Sequence, residues 1–247
     1  MIRIGTSGWV YQHWAGRFYP PDLHEHDWLP YYAQHFSTVE INRSFYRLPT
    51  YEQFHAWAEQ TTSNPGFIFA VKASRYITHI KKLIDPQEAI VRLTTSASGL
   101  GEHLGPFLYQ LPPNWRANLQ RLEQFIKLIP HTERAAFEFR DNSWFQSETF
   151  SSLGQILHNA GCAMVTAIGG LCPTPLDVPF IGPFRYLRFH NGAYGIGLTD
   201  DELTYWVKRL RNDIIERRDI YVYFNNDAEG YAIRDAKRFQ ELLENVA

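Results

Sequence analysis

Apolar and ionisable residues alternate along several short runs of this chain. In Thr38-Val39-Glu40-Ile41-Asn42, Ala136-Phe137-Glu138-Phe139-Arg140 and Tyr186-Leu187-Arg188-Phe189-His190, apolar side chains occupy every second position. Strand side chains point alternately to two faces, so Glu40 shares a face with Asn42, Glu138 with Arg140, and Arg188 with His190. A half-exposed antiparallel sheet reads this way, and so does a closed parallel barrel with a polar mouth. Eight such strand-like runs can be placed, at residues 2–5, 38–42, 67–72, 106–110, 135–140, 162–166, 185–190 and 220–225. Each is short and rich in β-branched and aromatic residues.

Most gaps between the runs carry helical periodicity. Leu119, Leu122, Phe125, Ile126 and Ile129 form one apolar stripe, and Leu203, Trp206, Val207, Leu210 and Ile214 another. Thr199 with Glu202 makes a capping box, and Asp85-Pro86 places a cap before a proline at the first helical position. Residues 168–183 are the exception, because Pro173, Pro175, Pro179 and Pro183 leave no room for a regular helix. Eight strands alternating with about seven helices predict an α/β fold: one (β/α)8 TIM-type barrel over residues 1–247. In it, an irregular proline-rich connection replaces most of the sixth helix. An open doubly wound sheet is the competing architecture.

In a barrel, outward strand positions pack on helices and the C-terminal strand ends form the catalytic rim. The outward positions are apolar, as at Val39, Ile41, Phe69, Val71, Leu187 and Phe189. The inward ones include Arg3, Glu40, Asn42, Lys72, Gln110, Glu138, Arg140, Arg188, His190, Tyr223 and Asn225. Buried charges must pair, so Arg3 and Arg188 are expected to neutralise Glu40 and Glu138. Four cations against two carboxylates still leave two positive charges over, which favours an anionic ligand, phosphate or carboxylate.

Composition narrows the partners. Hydrophobic residues make up 45% of 247, enough for a sizeable core, and 24 basic against 26 acidic residues argue against a duplex nucleic-acid binder. A protein that holds a single strand or an extruded base remains a second reading, and a non-catalytic ligand sensor a third. Cys162 and Cys172 are too far apart for a CxxC motif, and the start, Met1-Ile-Arg-Ile, lacks a charged leader and a long apolar run. A reduced, cytoplasmic protein without a membrane anchor is expected.

The loops add candidates. Gly5-Thr6-Ser7-Gly8-Trp9 brings glycines, hydroxyls and an indole near the mouth, either to meet a ligand or to pack as an aromatic loop. Lys72, Arg75 and His79 could cover an anion, whereas Lys81 and Lys82 read as solvated. A desolvated Lys72 beside Arg140 would have a lowered pKa and act as a base or imine former. Asp227 is either a cap of the last helix or a ligand contact. The expected catalytic set is Glu40, Lys72, Glu138 and His190. The expected substrate contacts are Trp9, Asn42, Tyr46, His79, Gln110, Arg140, Arg188, Asn225 and Asp227. If arginines grip Glu40 and Glu138 through both oxygens, acid–base roles for those two fall away. No cofactor is expected: Glu40, Glu138, His190 and Asp227 offer mixed metal donors, but no HExxH or paired-cysteine motif accompanies them.

Several motifs together resemble the YecE-like family, a domain of unknown function. They are Gly5-Thr6-Ser7-Gly8-Trp9, the run from Thr38 to Pro49, Phe69-Ala70-Val71-Lys72-Ala73-Ser74, Gln110-Leu111-Pro112-Pro113, Phe137-Glu138-Phe139-Arg140 with Ser143-Trp144, Arg188-Phe189-His190 and Tyr223-Phe224-Asn225-Asn226-Asp227. The resemblance spans nearly the whole chain in order and implies a TIM-type barrel without an established reaction. It also implies an aspartate near the end of the sixth strand. Residues 163–170 contain none, so altered or reduced activity is expected, with Thr166 able to replace a hydrogen bond but not a carboxylate.

Overall fold

Alternation becomes architecture where the strands pair edge to edge. A computed structural model describes residues 1–244. Its strands are β1 (Ile2–Thr6), β2 (Thr38–Ile41), β3 (Ile68–Lys72), β4 (Leu104–Gln110), β5 (Ala135–Glu138), β6 (Ala163–Ile168), β7 (Arg185–Phe189) and β8 (Ile220–Phe224). All pair in parallel in the order β1-β8-β7-β6-β5-β4-β3-β2, a nearly closed barrel and not an open doubly wound sheet. Helices α1 (Trp28–His35), α2 (Arg43–Tyr46), α3 (Tyr51–Gln60), α4 (Gln87–Ala97), α5 (Leu119–Ile126), α6 (Ser147–Asn159), α7 (Asp200–Arg209), α8 (Arg211–Ile215) and α9 (Tyr231–Glu244) surround it. Among the described residues, no helix is long and apolar enough to cross a membrane.

The two faces of each strand serve different cores. Outward residues such as Val39, Ile41, Phe69, Phe137, Leu187 and Phe224 join the helices in one large cluster. Inward residues Ala70, Leu108, Ala136, Val165, Tyr186, Tyr221 and Tyr223 form a separate apolar cluster within the barrel. Tyrosine suits that interior because its ring packs while its hydroxyl finds a partner, as Tyr223 does on Thr38 Oγ1 at 2.8 Å.

The seam between β1 and β2 has no ladder; an isolated Ser7–Glu40 bridge joins them instead. The Tyr32 hydroxyl from α1 stitches both sides, accepting from the Thr6 amide at 2.8 Å and donating to the Thr38 carbonyl at 3.1 Å. Gly5 permits this approach, since a Cβ there would fall on the Thr38 carbonyl oxygen.

Four local expectations change. Arg3 lies at the start of β1, far from the mouth, and donates to the Ser37 and Gly66 carbonyls instead of pairing with a glutamate. Asp85 has φ 45° and makes no cap; Pro86 precedes α4 without a side-chain bond. The stripe through Leu210 breaks there into α7 and α8. Thr166 is offset by one residue from inward Val165, so its side chain faces the helices and gives nothing to the mouth. No helix intervenes between β6 and β7, as the prolines require.

Candidate active site at the barrel mouth

Above the inner tyrosines lies a sealed ionic layer. Arg188 projects inward from β7 with a side chain 1% exposed, between Glu40 of β2 and Glu138 of β5, both 0% exposed. Its Nε and Nη2 donate to the two Glu40 oxygens at 3.0 and 2.8 Å, a bidentate fork, and Nη1 donates to Glu138 Oε2 at 2.6 Å. Ser7 Oγ and the Tyr186 hydroxyl each add a 2.7 Å bond to Glu40. Burial alone would raise both carboxyl pKa values. The Arg188 charge and hydrogen bonds outweigh it, so Glu40 lies below its ordinary value and Glu138, also facing Arg140, well below. Both remain carboxylates, and Glu40 has both oxygens committed. These contacts make Glu40 an anchor for Arg188 and leave it no means of exchanging protons.

The next layer outward is less complete. Arg140, 25% exposed, donates through Nε to Glu138 Oε1 and lies 3.0 Å from His190 Nε2 through Nη2. His190 Nε2 also lies 3.7 Å from Glu138 Oε1, so it sits between a guanidinium donor and a carboxylate. On the other side of the ring, Asn225 Nδ2 lies 3.1 Å from His190 Nδ1. Burial lowers the His190 pKa despite the nearby Glu138, so the ring is neutral and both nitrogens are occupied. It acts as a strut for Arg140.

Lys72 ends β3 on the same inward face. Its Nζ lies 4.4 Å from the centre of the Phe45 ring and has neither a hydrogen bond nor an ion pair among the described residues. Burial, reinforced by Arg188 and Arg140 against the opposing glutamates, lowers its pKa to about 8. His79 reaches Phe45 edge-on at 4.9 Å. Burial with the charges of Lys72, Arg140 and Arg75 brings its pKa down to about 4. It rides on a single π-helical turn, Tyr76–Ile80, followed by left-handed backbone at Lys82, Leu83 and Asp85. Gln110 accepts from Arg188 at 3.3 Å through Oε1; its Nε2, like Arg140 Nη1, has no protein partner among the described residues. The mouth is therefore rich in unspent donors and poor in free acceptors.

The family model for proteins of unknown function DUF72 matches residues 3–247. The chain belongs to the DUF72 family. Among its relatives, the UPF0759 protein YunF of Bacillus subtilis is 26% identical over 99% of this chain and 95% of its own. The UPF0759 protein YecE of Escherichia coli K12 is 31% identical over 65% of this chain and 57% of its own. A solved DUF72 protein of Thermotoga maritima, TM1631, is 28% identical with a TM-score of 0.80 and 99% of both chains covered. The D-psicose 3-epimerase of Clostridium cellulolyticum H10, at 11% identity and TM-score 0.56 over 99% of this chain and 96% of its own, shares the barrel alone.

Within this DUF72 barrel, Glu40, Lys72, Gln110, Glu138, Arg140, Arg188, His190 and Asn225 come together at the mouth, with His79 beside them. Four other expected contacts have different surroundings. Trp9 packs edge-on against Trp57 at 5.2 Å, and the amides at Ser7 and Gly8 are spent on Phe224 and Glu40, so the first loop is mainly packing. Trp9 and Asn42 instead line a side cavity of about 680 Å³, where Asn42 Oδ1 is buried without a partner. Tyr46 is 75% exposed. Asp227 joins β8 to the first loop, its carbonyl accepting from His13 and Trp14, and makes no cap. Sequence reasoning missed Ser7, Tyr186 and Phe45. Tyr186 was within reach, two residues before Arg188 on the same face, whereas Phe45 reaches Lys72 from α2 with no periodic signal. Among the described residues, no three His, Cys, Asp or Glu side chains gather where they could share a metal ion.

Proposed function

We propose that this protein is an enzyme that binds a small carboxylated or phosphorylated molecule at the barrel mouth and works on it through Lys72. One observation carries the reading. Lys72, Arg140 and Arg188 face Glu40 and Glu138, both carboxylates are engaged by arginine, and the remaining cation, Lys72, is desolvated and, among the described residues, unpaired. An anion would complete the charge balance, and Arg140 Nη1 and Gln110 Nε2 are donors ready to orient it. In this reading Arg188 and its two glutamates form the rigid floor, His190 and Asn225 hold Arg140 in place, and Lys72 is the reacting group. At pH 7 the glutamates are ionised and both histidines neutral, which leaves Lys72, lowered to about 8, as the cation here that gives up its proton near neutrality.

Thermal unfolding measured against a panel of phosphorylated and carboxylated sugars and acids tests this. Stabilisation by about 2.7 kcal/mol is expected at a concentration one hundred times Kd, from linkage. Arg140→Ala should remove it. Equal stabilisation of that variant, or none from any anion, overturns the reading.

A further inference from the structure

An amine in this position can take a proton or take a carbon, and the surroundings of Lys72 favour carbon. Among the described residues Nζ has no hydrogen-bond partner, so the lone pair of the neutral amine is left uncommitted. The amine rests over an apolar ring at the end of β3. The glutamates beneath it are held by Arg188 and Arg140 and cannot tie the amine up as an ion pair. Nucleophilic lysines are activated by this combination of desolvation and neighbouring cations. At the same mouth, Nη1 of Arg140 and Nε2 of Gln110, without protein partners among the described residues, suit carboxylate oxygens.

We propose that Lys72 condenses with the carbonyl carbon of a small oxo-acid, its carboxylate held by Arg140, to form an imine. This deepens the anion-binding reading and rests on it. The lone pair of the neutral amine forms the N–C bond while the carbonyl π pair moves to oxygen. Nitrogen loses a proton and oxygen gains one, giving a carbinolamine. A second proton, taken from solvent at the open mouth, lets that oxygen leave as water with the C–O pair, and the nitrogen lone pair closes the C=N bond. Amine, carbonyl and one proton thus give iminium and water, with no oxidant or reductant. The iminium carries the same single positive charge as the ammonium it replaces, so the ionic floor beneath sees no change.

The test is reductive trapping with glyoxylate or pyruvate and cyanoborohydride, read by peptide mass spectrometry. Lys72 should gain the reduced adduct about tenfold or more faster than exposed Lys82, because a lowered pKa frees more of the amine near neutral pH. Labelling should rise with pH through about 8, vanish in Lys72→Arg and slow in Arg140→Ala. If neither acid labels Lys72 faster than Lys82, the imine proposal is wrong. Should the same acids still raise the unfolding temperature of the parent but not of Arg140→Ala, the anion-binding reading survives that failure. If they do neither, both fall.

Discussion

Arg188 and Lys72 lie on neighbouring levels of one interior and oppose each other energetically. Arg188 is paired on every side, and removing it would strand two buried carboxylates. Arg188→Met should therefore lower unfolding free energy by about 3–5 kcal/mol in urea titrations. Lys72 is charged, desolvated and, among the described residues, unpaired, so Lys72→Met should leave the protein equally or more stable at pH 7, by up to roughly 1–3 kcal/mol. The sign follows from its lowered pKa. Between about 8 and its ordinary 10.5 the unfolded chain holds the proton that the folded chain has lost, so parent stability rises with pH across that window. The advantage of the variant should shrink over the same range and be gone above it; an advantage independent of pH would contradict this account. Strand parity alone placed Glu40, Glu138, Arg140, Arg188 and Lys72 on the inward face. It could not tell which arginine takes which glutamate, because parity gives the face of a side chain and not its reach. Arg3 shows the limit: its face is inward, but it sits at the opposite end of the strand.

Elements bounded by local chemistry were legible, and those shaped by distant contacts were not. The Thr199–Glu202 capping box is present at the start of α7, with the Glu202 amide donating to Thr199 Oγ1 and Glu202 answering the Thr199 amide. Thr199→Ala should cost about 1 kcal/mol, seen as a lower denaturation midpoint. Glu202 also accepts from the Ala193 amide at 2.6 Å, which ties the loop after β7 to that helix. Glu202→Ala should therefore also speed hydrogen exchange at Ala193, which Thr199→Ala leaves unchanged. The π-helical turn after β3 and the left-handed residues behind it have no counterpart in the periodicity, because buried Ile77 and Leu83 set that geometry through tertiary packing. At the β1–β2 seam, Gly5→Ala should destabilise by roughly 1–3 kcal/mol, since the Cβ meets backbone that cannot move aside cheaply.

The molecule as a whole was the most legible level, because eight strand runs at helix-length intervals leave few alternatives to a barrel. Its ionic interior also governs its response to acid. Glu40 and Glu138 are held below the ordinary 4.5, so the stability they contribute is complete above that value and is lost as pH falls below it towards their folded values. Denaturant titrations should show a steep loss below pH 4.5 that flattens in Glu138→Gln, which starts from a lower plateau. The way the barrel joins has a further consequence, for synthesis. The ladder partner of β1 is β8, which pairs Ile2 with Ile220, while the neighbouring seam to β2 offers one bridge. On the ribosome the first strand is made early and must wait for nearly the last to find its place. Until then its apolar residues and unpaired amides are open to any other edge, so a pause just before β8 is made is when this chain is most exposed to misassembly.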